Sequence, residues 1–386
     1  MARVKVTVSL TNGKYSDGIY VVNASRYDYA TLYWADDNGI IDNYTAFAVI
    51  PLSDGHGELS YIGNRAIPLQ ATSIIARVTD KNSGNTEEIR TEIPQLQKTD
   101  SGNCVYRISL LSDLHLSNKT GKIMRALKLA SESDCILIAG DSVNDGTAEQ
   151  LKLLRECVNT AVPNTVPLFS VGGNHDFPIK EEESDFDYWN LQNGFLERNK
   201  NFGFNTEIHE SGCWSAENDD IHIFGWKCVD ENRNFFFGKK KEQLEFLADR
   251  LEKNKDKKYQ IVCSHAPLIA HNPQRKPDGQ PYFDGDRGLQ ELIDSYSNII
   301  FVSGHTHFSP NDYSGCVDFD EEKNNIYIND GSVCPTTYKL GEANVPKEWT
   351  DGVVTELAIY ADGVEITSRL LHGNKNISRG YYRFMK

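Results

Sequence analysis

No run of about 18 apolar residues occurs in this chain of 386, so the sequence offers no helix of membrane-spanning character. Long basic runs are missing as well, the short Lys239-Lys240-Lys241 apart. With 40 Lys and Arg against 55 Asp and Glu the formal net charge is −15. An acidic surface repels a phosphate backbone, which disfavours nucleic acid as a partner unless a local patch overrides the total. No apolar leader follows Met1-Ala2-Arg3, which runs straight into alternating strand sequence. The eight cysteines are scattered, and Cys135, Cys228 and Cys263 sit in apolar runs that suit buried free thiols. These features together favour a cytoplasmic location and no membrane, and they leave the oligomeric state open.

What the chain does contain is enough apolar sequence, 39% overall, for one large domain and a small one, each with a core. In the first hundred residues apolar positions recur with period two: Val4, Val6, Val8 and Leu10, then Ala30, Leu32 and Trp34, then Ile74, Ala76 and Val78. Asn12-Gly13, Asn38-Gly39 and Asp54-Gly55 supply turns between them. The pattern predicts a small all-β sandwich of immunoglobulin or fibronectin type III character over residues 1–95. The polar stretch Pro94 to Asn103 reads as a linker, set at 96–104, which leaves 105–386 as the second domain. In that domain helical periods (Ile123, Leu127, Ala130; Leu151, Leu154, Val158; Leu244, Leu247, Leu251) separate strand-like runs. After His307 the chain returns to strands, including Asn325–Asn329 and a pair joined at Asp362-Gly363. This order predicts an α/β fold of two mixed sheets packed face to face with helices outside.

Five short motifs follow the strand-like runs Val105–Leu111, Cys135–Ala139, Val166–Val171, Tyr259–Cys263 and Ile299–Val302. They are Asp113-Leu114-His115, Gly140-Asp141, Gly173-Asn174-His175-Asp176, Ser264-His265-Ala266-Pro267 and Gly304-His305-Thr306-His307. Loops at the ends of parallel strands are where α/β proteins gather their chemistry. Residues two apart on an extended chain point the same way, so Asp113 with His115, and His305 with His307, are each expected to aim at one site. Carboxylate, imidazole and amide groups suit Mn, Fe or Zn, and no cysteine lies within a motif, which points to a dinuclear site rather than a closed structural zinc. A lone D-x-H or G-D usually marks a strand end or a turn. Here five of the ten histidines fall in ordered clusters, and that conjunction carries the reading. His56, His209, His222, His271 and His372 lie outside the clusters and read as ordinary structural residues.

The ordered set resembles the calcineurin-like metallophosphoesterase superfamily, whose motifs run D-x-H, G-D, G-N-H-D/E, H and G-H-x-H. The match extends from about Tyr106 to the strands beyond His307. The resemblance implies that superfamily's four-layer αββα sandwich and two divalent or trivalent metal ions. Carried over by position, it implies that Asp113, His115 and His307 bind one ion, that Asn174, His265 and His305 bind the other, and that Asp141 bridges them. It also implies that His175 is a catalytic histidine outside the ligand set, with Asp176 as its orienting partner. One departure matters. The purple acid phosphatase branch follows its G-D with x-x-Tyr, whereas Ser142, Val143 and Asn144 follow here, so that iron-binding phenolate is missing. The G-N-H-D ending also looks closer to bacterial phosphodiesterases and broad-specificity phosphatases than to Ser/Thr protein phosphatases.

The chemistry expected of such a site is hydrolysis of phosphodiesters or phosphomonoesters. Ions about 3.5–4 Å apart can hold a bridging hydroxide for in-line attack at phosphorus, with His175 assisting the leaving group. A nuclease, which the acidic balance opposes, and a catalytically silent metal-binding scaffold are the alternatives. Selectivity among small phosphorylated substrates is expected from two loops, Phe177–Trp189 and Ile269–Asp286; in the second, Arg275, Lys276, Tyr282 and Phe283 suit a grip on phosphate and a base or sugar, and suit a plain solvated loop somewhat better. The strand end Asn329-Asp330-Gly331-Ser332 resembles a segment that lies near the cleft in relatives.

Overall fold

The computed structural model describes residues 3–11, 14–60, 67–68, 70–93, 104–179, 186–236, 241–271, 287–308, 310, 316–335 and 352–385. The Asn12-Gly13 turn, the 94–103 linker stretch, and Arg275, Lys276, Tyr282 and Phe283 lie outside the described residues.

Eight strands come first: β1 (Arg3–Thr11), β2 (Lys14–Asn23), β3 (Tyr29–Asp36), β4 (Gly39–Ile40), β5 (Ala48–Pro51), β6 (His56–Ser60), β7 (Ser73–Thr79) and β8 (Thr86–Glu92). The middle of the chain alternates strand and helix: β9 (Cys104–Leu111), α1 (Gly121–Ala130), β10 (Cys135–Ile138), α2 (Ala148–Ala161), β11 (Leu168–Ser170) and α3 (Tyr188–Asn199). A hairpin-rich stretch continues with β12 (Asn205–Ile208), β13 (Trp214–Glu217), β14 (His222–Trp226), α4 (Lys241–Lys253), β15 (Gln260–Ser264) and α5 (Arg287–Asp294). Strands close the chain: β16 (Ile299–Ser303), β17 (Val317–Asp320), β18 (Asn325–Asn329), β19 (Val353–Tyr360), β20 (Gly363–Leu370) and β21 (Asn376–Met385).

The N-terminal all-β region forms two antiparallel sheets, β1-β2-β6 and β4-β3-β7-β8 with β5 paired to β3. Its core is drawn from both: Tyr20 and Val22 of β2 meet Ala30, Leu32 and Trp34 of β3 and Ile74, Ala76 and Val78 of β7. The period-two residues of β3 and β7 are thus the buried face, while the side chains of Val6, Val8 and Leu10 lie outside the described residues. This region touches the remainder of the chain at β21, where Thr45 donates to the Asn376 carbonyl (2.9 Å) and Asn376 donates to the Asn43 carbonyl (3.1 Å).

The second part has a six-stranded sheet, β11-β10-β9-β19-β20-β21, and a seven-stranded sheet, β12-β13-β14-β15-β16-β18-β17. Within them β9, β10 and β11 run parallel, as do β14, β15, β16 and β18. Side chains alternate between two apolar layers, because successive residues of a strand face opposite ways. Ile108, Leu137, Ile261, Cys263, Ile300, Val302 and Leu357 fill the layer between the sheets. Ile136, Ile138, Val262, Ile299 and Phe301 face outward against apolar residues of α1, α2, α4 and α5, such as Leu127, Leu154, Leu247 and Leu289. Strands buried on both faces explain why their sequences read as near-continuous apolar runs. The result is the four-layer αββα arrangement.

Two features differ from the sequence reading. The segment Phe177–Trp189 is not all loop, since α3 starts at Tyr188 behind an Asp187 cap whose side chain accepts from Asn190 N–H. Helices α3 and α5 and the hairpin β12–β13 were not indicated by periodicity.

Candidate metal centre

The parallel strands of both sheets deliver their carboxyl-end loops to one place, and the loops are bonded to one another. Asp113 N–H donates to the Gly140 carbonyl (3.0 Å), His115 N–H to that of Asp141 (3.1 Å), Gly304 N–H to that of His265 (2.9 Å), and Val333 N–H to that of Ser112 (3.0 Å). Hydrogen bonding between loops removes the need for ordered water at the backbone and fixes each loop relative to its neighbours.

Backbone geometry here is unusual. Asp113, His115, Asp141, His305 and His307 have φ of 50°, 44°, 50°, 68° and 55°. These are left-handed conformations, sparsely populated for residues other than glycine, and strained residues of this kind gather at functional sites. The expectation that D-x-H and H-x-H side chains align because the chain is extended is therefore corrected. The strands end before the motifs, and left-handed turns aim the side chains. Motif glycines are dictated by packing: a Cβ on Gly140 (φ 85°) would lie 2.5 Å from His265 Nδ1, and one on Gly173 would lie 2.3 Å from Asp141 Oδ1.

The structure brings the sequence-predicted residues together around Asp141. Ligand atoms of Asp113, His115, Asp141 and His307 all lie within 4.8 Å of one another, and so do those of Asp141, His265 and His305. His115 Nε2 is 3.0 Å from His307 Nε2, and His307 Nε2 is 3.4 Å from Asp113 Oδ1. His265 Nε2 is 3.3 Å from Asp141 Oδ2, 3.2 Å from Asn174 Oδ1 and 3.1 Å from His305 Nδ1. Asp113, Asp141 and His265 are buried, while the other histidines are half-buried. Outer groups set the tautomers. His265 Nδ1 donates to the Ala139 carbonyl (2.8 Å) and His307 Nδ1 to the Cys334 carbonyl (2.9 Å), so each turns Nε2 toward the cluster.

Electrostatics fit a cation. Burial opposes ionisation of Asp141, yet the charge and hydrogen bond of His265 hold its carboxyl below the usual range. Burial drives His115 down to about 4 and His305 down to about 3, which leaves both rings neutral and able to ligate. Burial also lowers His265, but the Asp141 and Asp113 carboxylates prevail and raise it to about 10. Three acceptor atoms within 3.3 Å of one His265 nitrogen cannot share one proton, and the carboxylates demand positive charge there. Oxygen and imidazole donors of this kind suit Mn, Fe or Zn, so the residues present fit metal ions.

His175 stands at the edge of the cluster, its ring 4.6 Å from that of His115 in an edge-on arrangement. Its Nδ1 donates to the Asn144 carbonyl (2.6 Å). Asp176, the expected orienting partner, is instead fully buried behind the site. It accepts from the backbone N–H groups of Ser142 (2.8 Å), Val143 (3.1 Å) and Gly173 (2.8 Å). Burial and the Asp141 charge push its carboxyl up to about 7, and the N–H bonds of Gly173 and Val143 pull against that rise. Asp176 therefore ties the Gly140-Asp141 loop to the Gly173 turn, and the Asn144 carbonyl orients His175.

Several supporting groups carried no sequence signal. Ser112 Oγ lies 2.5 Å from both Asp113 Oδ2 and Asp330 Oδ1. Phe235 packs edge-on to His305 at 5.0 Å. Only Asp330 has a pointer, the resemblance of Asn329-Asp330-Gly331-Ser332 to a segment near the cleft in relatives. Outside the centre, His222 bonds Ser215 and Gln260, and His271 stacks on Tyr327 and bonds Asp318. All eight cysteines are free. Among the described residues no helix is long and apolar enough to cross a membrane.

Comparison with known proteins agrees with this geometry. A probable glycerophosphodiester phosphodiesterase, GpdQ, of Arcobacter nitrofigilis is 26% identical over 191 residues, 48% of this chain and 60% of that protein. The chain thus matches about 60% of the length of that relative. The purple acid phosphatase PPD1 from yellow lupin (Lupinus luteus) seeds is a structural neighbour at 12% identity and a TM-score of 0.50, covering 98% of this chain and 74% of that one. This likeness concerns the fold alone. The family model described as calcineurin-like phosphoesterase matches residues 106–309, more than half of the chain and all five motifs. The chain belongs to the calcineurin-like phosphoesterase family.

Proposed function

We propose that this protein is a metal-dependent phosphoric ester hydrolase acting on small phosphodiesters or phosphomonoesters. The observation that carries the reading is the convergence of Asp113, His115, His265, His305 and His307 on Asp141, with Asn174 beside His265 and the outer ring nitrogens of His265 and His307 committed to backbone carbonyls. Asp113, His115, Asp141 and His307 would hold one ion, and Asp141, Asn174, His265 and His305 a second. Ions so held supply the positive charge that draws a phosphoryl group and the activated water that attacks it.

The residues of the chain do the rest. With Nδ1–H committed to the Asn144 carbonyl, His175 has Nε2 as the atom that carries a proton to the leaving oxygen. Asp141 is kept ionised, and its Oδ1 is fixed by His175 N–H at 2.7 Å. The ring and the bridging carboxylate thereby share one rigid frame. The relative described as a glycerophosphodiester phosphodiesterase supports diesters of small alcohols as substrates. The same reading divides the chain at 96–104 and takes the N-terminal β region as a flanking module of immunoglobulin-like character. Elemental analysis of the purified protein, coupled to turnover of p-nitrophenyl mono- and diesters, tests the proposal. Bound metal without turnover of either ester would make the protein a scaffold, and absence of bound metal would remove the centre itself.

A further inference from the structure

We infer that Arg233 is the positioning residue of His175, a role that rests on the general-acid reading above. Among the described residues eleven other than glycine have positive φ. Asp113, His115, Asp141, His305 and His307 surround the centre, and Asp54, Asn298, Asn324 and Asn374 belong to the residue types that tolerate this region. Ser332 follows Gly331. Arg233, at 66°, is the long charged side chain in the set, and the turn that carries it is built around Asp230. Asp230 Oδ1 accepts from Asn232 N–H and Asn234 N–H (both 2.9 Å), the Asp230 carbonyl accepts from Arg233 N–H (3.0 Å), and Val229 bridges to Phe235.

From this fixed turn the guanidinium reaches two backbone segments on either side of the catalytic histidine. Arg233 Nε donates to the Phe177 carbonyl (2.8 Å) and Nη2 to the Asp145 carbonyl (3.1 Å). Phe177 is two residues beyond His175, and Asp145 follows Asn144, whose carbonyl holds the ring. The two segments already meet closely, since a Cβ on Gly146 would lie 2.2 Å from the Phe177 carbonyl carbon. On the other side they face a cavity of about 540 Å³ lined by Gly146, Phe177, Trp189 and Arg233. Gln150 secures Asp145 from α2, accepting from Asp145 N–H at 2.8 Å. Arg233 closes the seam opposite. A planar fork with donors in fixed directions can span two carbonyls, and a lysine ammonium cannot reproduce it.

The test uses the full-length protein with Arg233→Gly, which relieves the backbone conformation and removes the fork, and Arg233→Lys, which keeps the charge. The His175 Nδ1–H resonance, assigned by its loss in His175→Ala, is followed by NMR without reference to turnover. Solvent exchange of that proton should quicken on the order of 10-fold in Arg233→Gly and also rise in Arg233→Lys. Unchanged exchange in Arg233→Gly, or full retention of slow exchange in Arg233→Lys, overturns the clamp. In turnover, Arg233→Gly should lose about 10-fold or more on an alkyl ester against less than about 3-fold on the p-nitrophenyl ester, and should add nothing in a His175→Ala background. Equal losses on the two esters, or a loss that persists without His175, overturn it as well. If the wild type hydrolyses neither ester, the hydrolase reading fails, and the exchange measurement still decides the role of Arg233.

Discussion

Replacing Gly173 by alanine isolates the packing of the centre from its backbone conformation. Gly173 sits at φ −100° and ψ 175°, extended backbone that any residue adopts, so an added methyl group brings no conformational penalty. Its Cβ would, however, lie 2.3 Å from Asp141 Oδ1 and 2.4 Å from Asp141 N. Ordinary contact needs roughly 1 Å more, and the backbone nitrogen cannot rotate away, so the whole Asp141 turn must shift by that amount. Overpacking of this size costs about 1–3 kcal/mol. A displacement near 1 Å at a reacting centre costs about 100-fold in rate. Gly173→Ala should therefore lose bound metal on dialysis, lower the melting temperature and cut ester turnover by about two orders of magnitude. Gly194, on α3 with nothing within 4 Å of its Cβ, is the internal control, and Gly194→Ala should stabilise by about 0.5–1 kcal/mol. Elemental analysis and thermal melts of the two variants check the argument. Full metal occupancy with an unchanged melting temperature in Gly173→Ala would refute it.

His175→Ala should retain both metals while kcat falls on the order of 10²–10⁴-fold, the loss shrinking for p-nitrophenyl esters. An equal loss across leaving groups would leave His175 a group that only orients the phosphate. With Asn144 in place of the purple branch's tyrosine, the iron-loaded protein should show no phenolate charge-transfer band in its visible spectrum. Burial pushes the His222 imidazole down to about 4 from the ordinary 6.5, which keeps it neutral. A depressed histidine contributes stability that is present above pH 6.5 and lost as pH falls toward 4, about 3 kcal/mol at most for this difference. Urea midpoints of His222→Gln should fall less steeply across that window than those of the wild type, and parallel slopes would count against it.

The parts of the fold legible in the sequence are those where one physical signal dominates. Strands β10, β15 and β16, and β9 from Ile108 onward, are buried on both faces and so appear as apolar runs, and α1, α2 and α4 show a clear apolar stripe. Helix α3 does not, because its inward face includes Gln192 and Asn199. Gln192 Nε2 donates to the Ser170 carbonyl (3.0 Å), and Asn199 both accepts from Leu168 N–H (3.0 Å) and donates to its carbonyl (2.7 Å). Polar residues that complete the hydrogen bonds of an edge strand dilute the very periodicity that marks a helix. At the centre, side-chain identities were readable from motif order. The partners of those side chains were not: the Asn144, Ala139 and Cys334 carbonyls are backbone groups common to every residue. The assignment of Asp176 to His175 failed for a related reason, since sequence adjacency does not tell which way a buried carboxylate faces in a tight turn.

The left-handed backbone at five residues of the centre sets local conformation against the stability of the whole chain. Each such residue costs on the order of 1 kcal/mol, and together they weigh against a net folding stability of only about 5–15 kcal/mol. Such conformations persist only where their surroundings over-determine them. The bonds that join the Asp113, Asp141, His265 and Gly304 loops meet that cost, so the centre stays aimed only while the fold around it is intact.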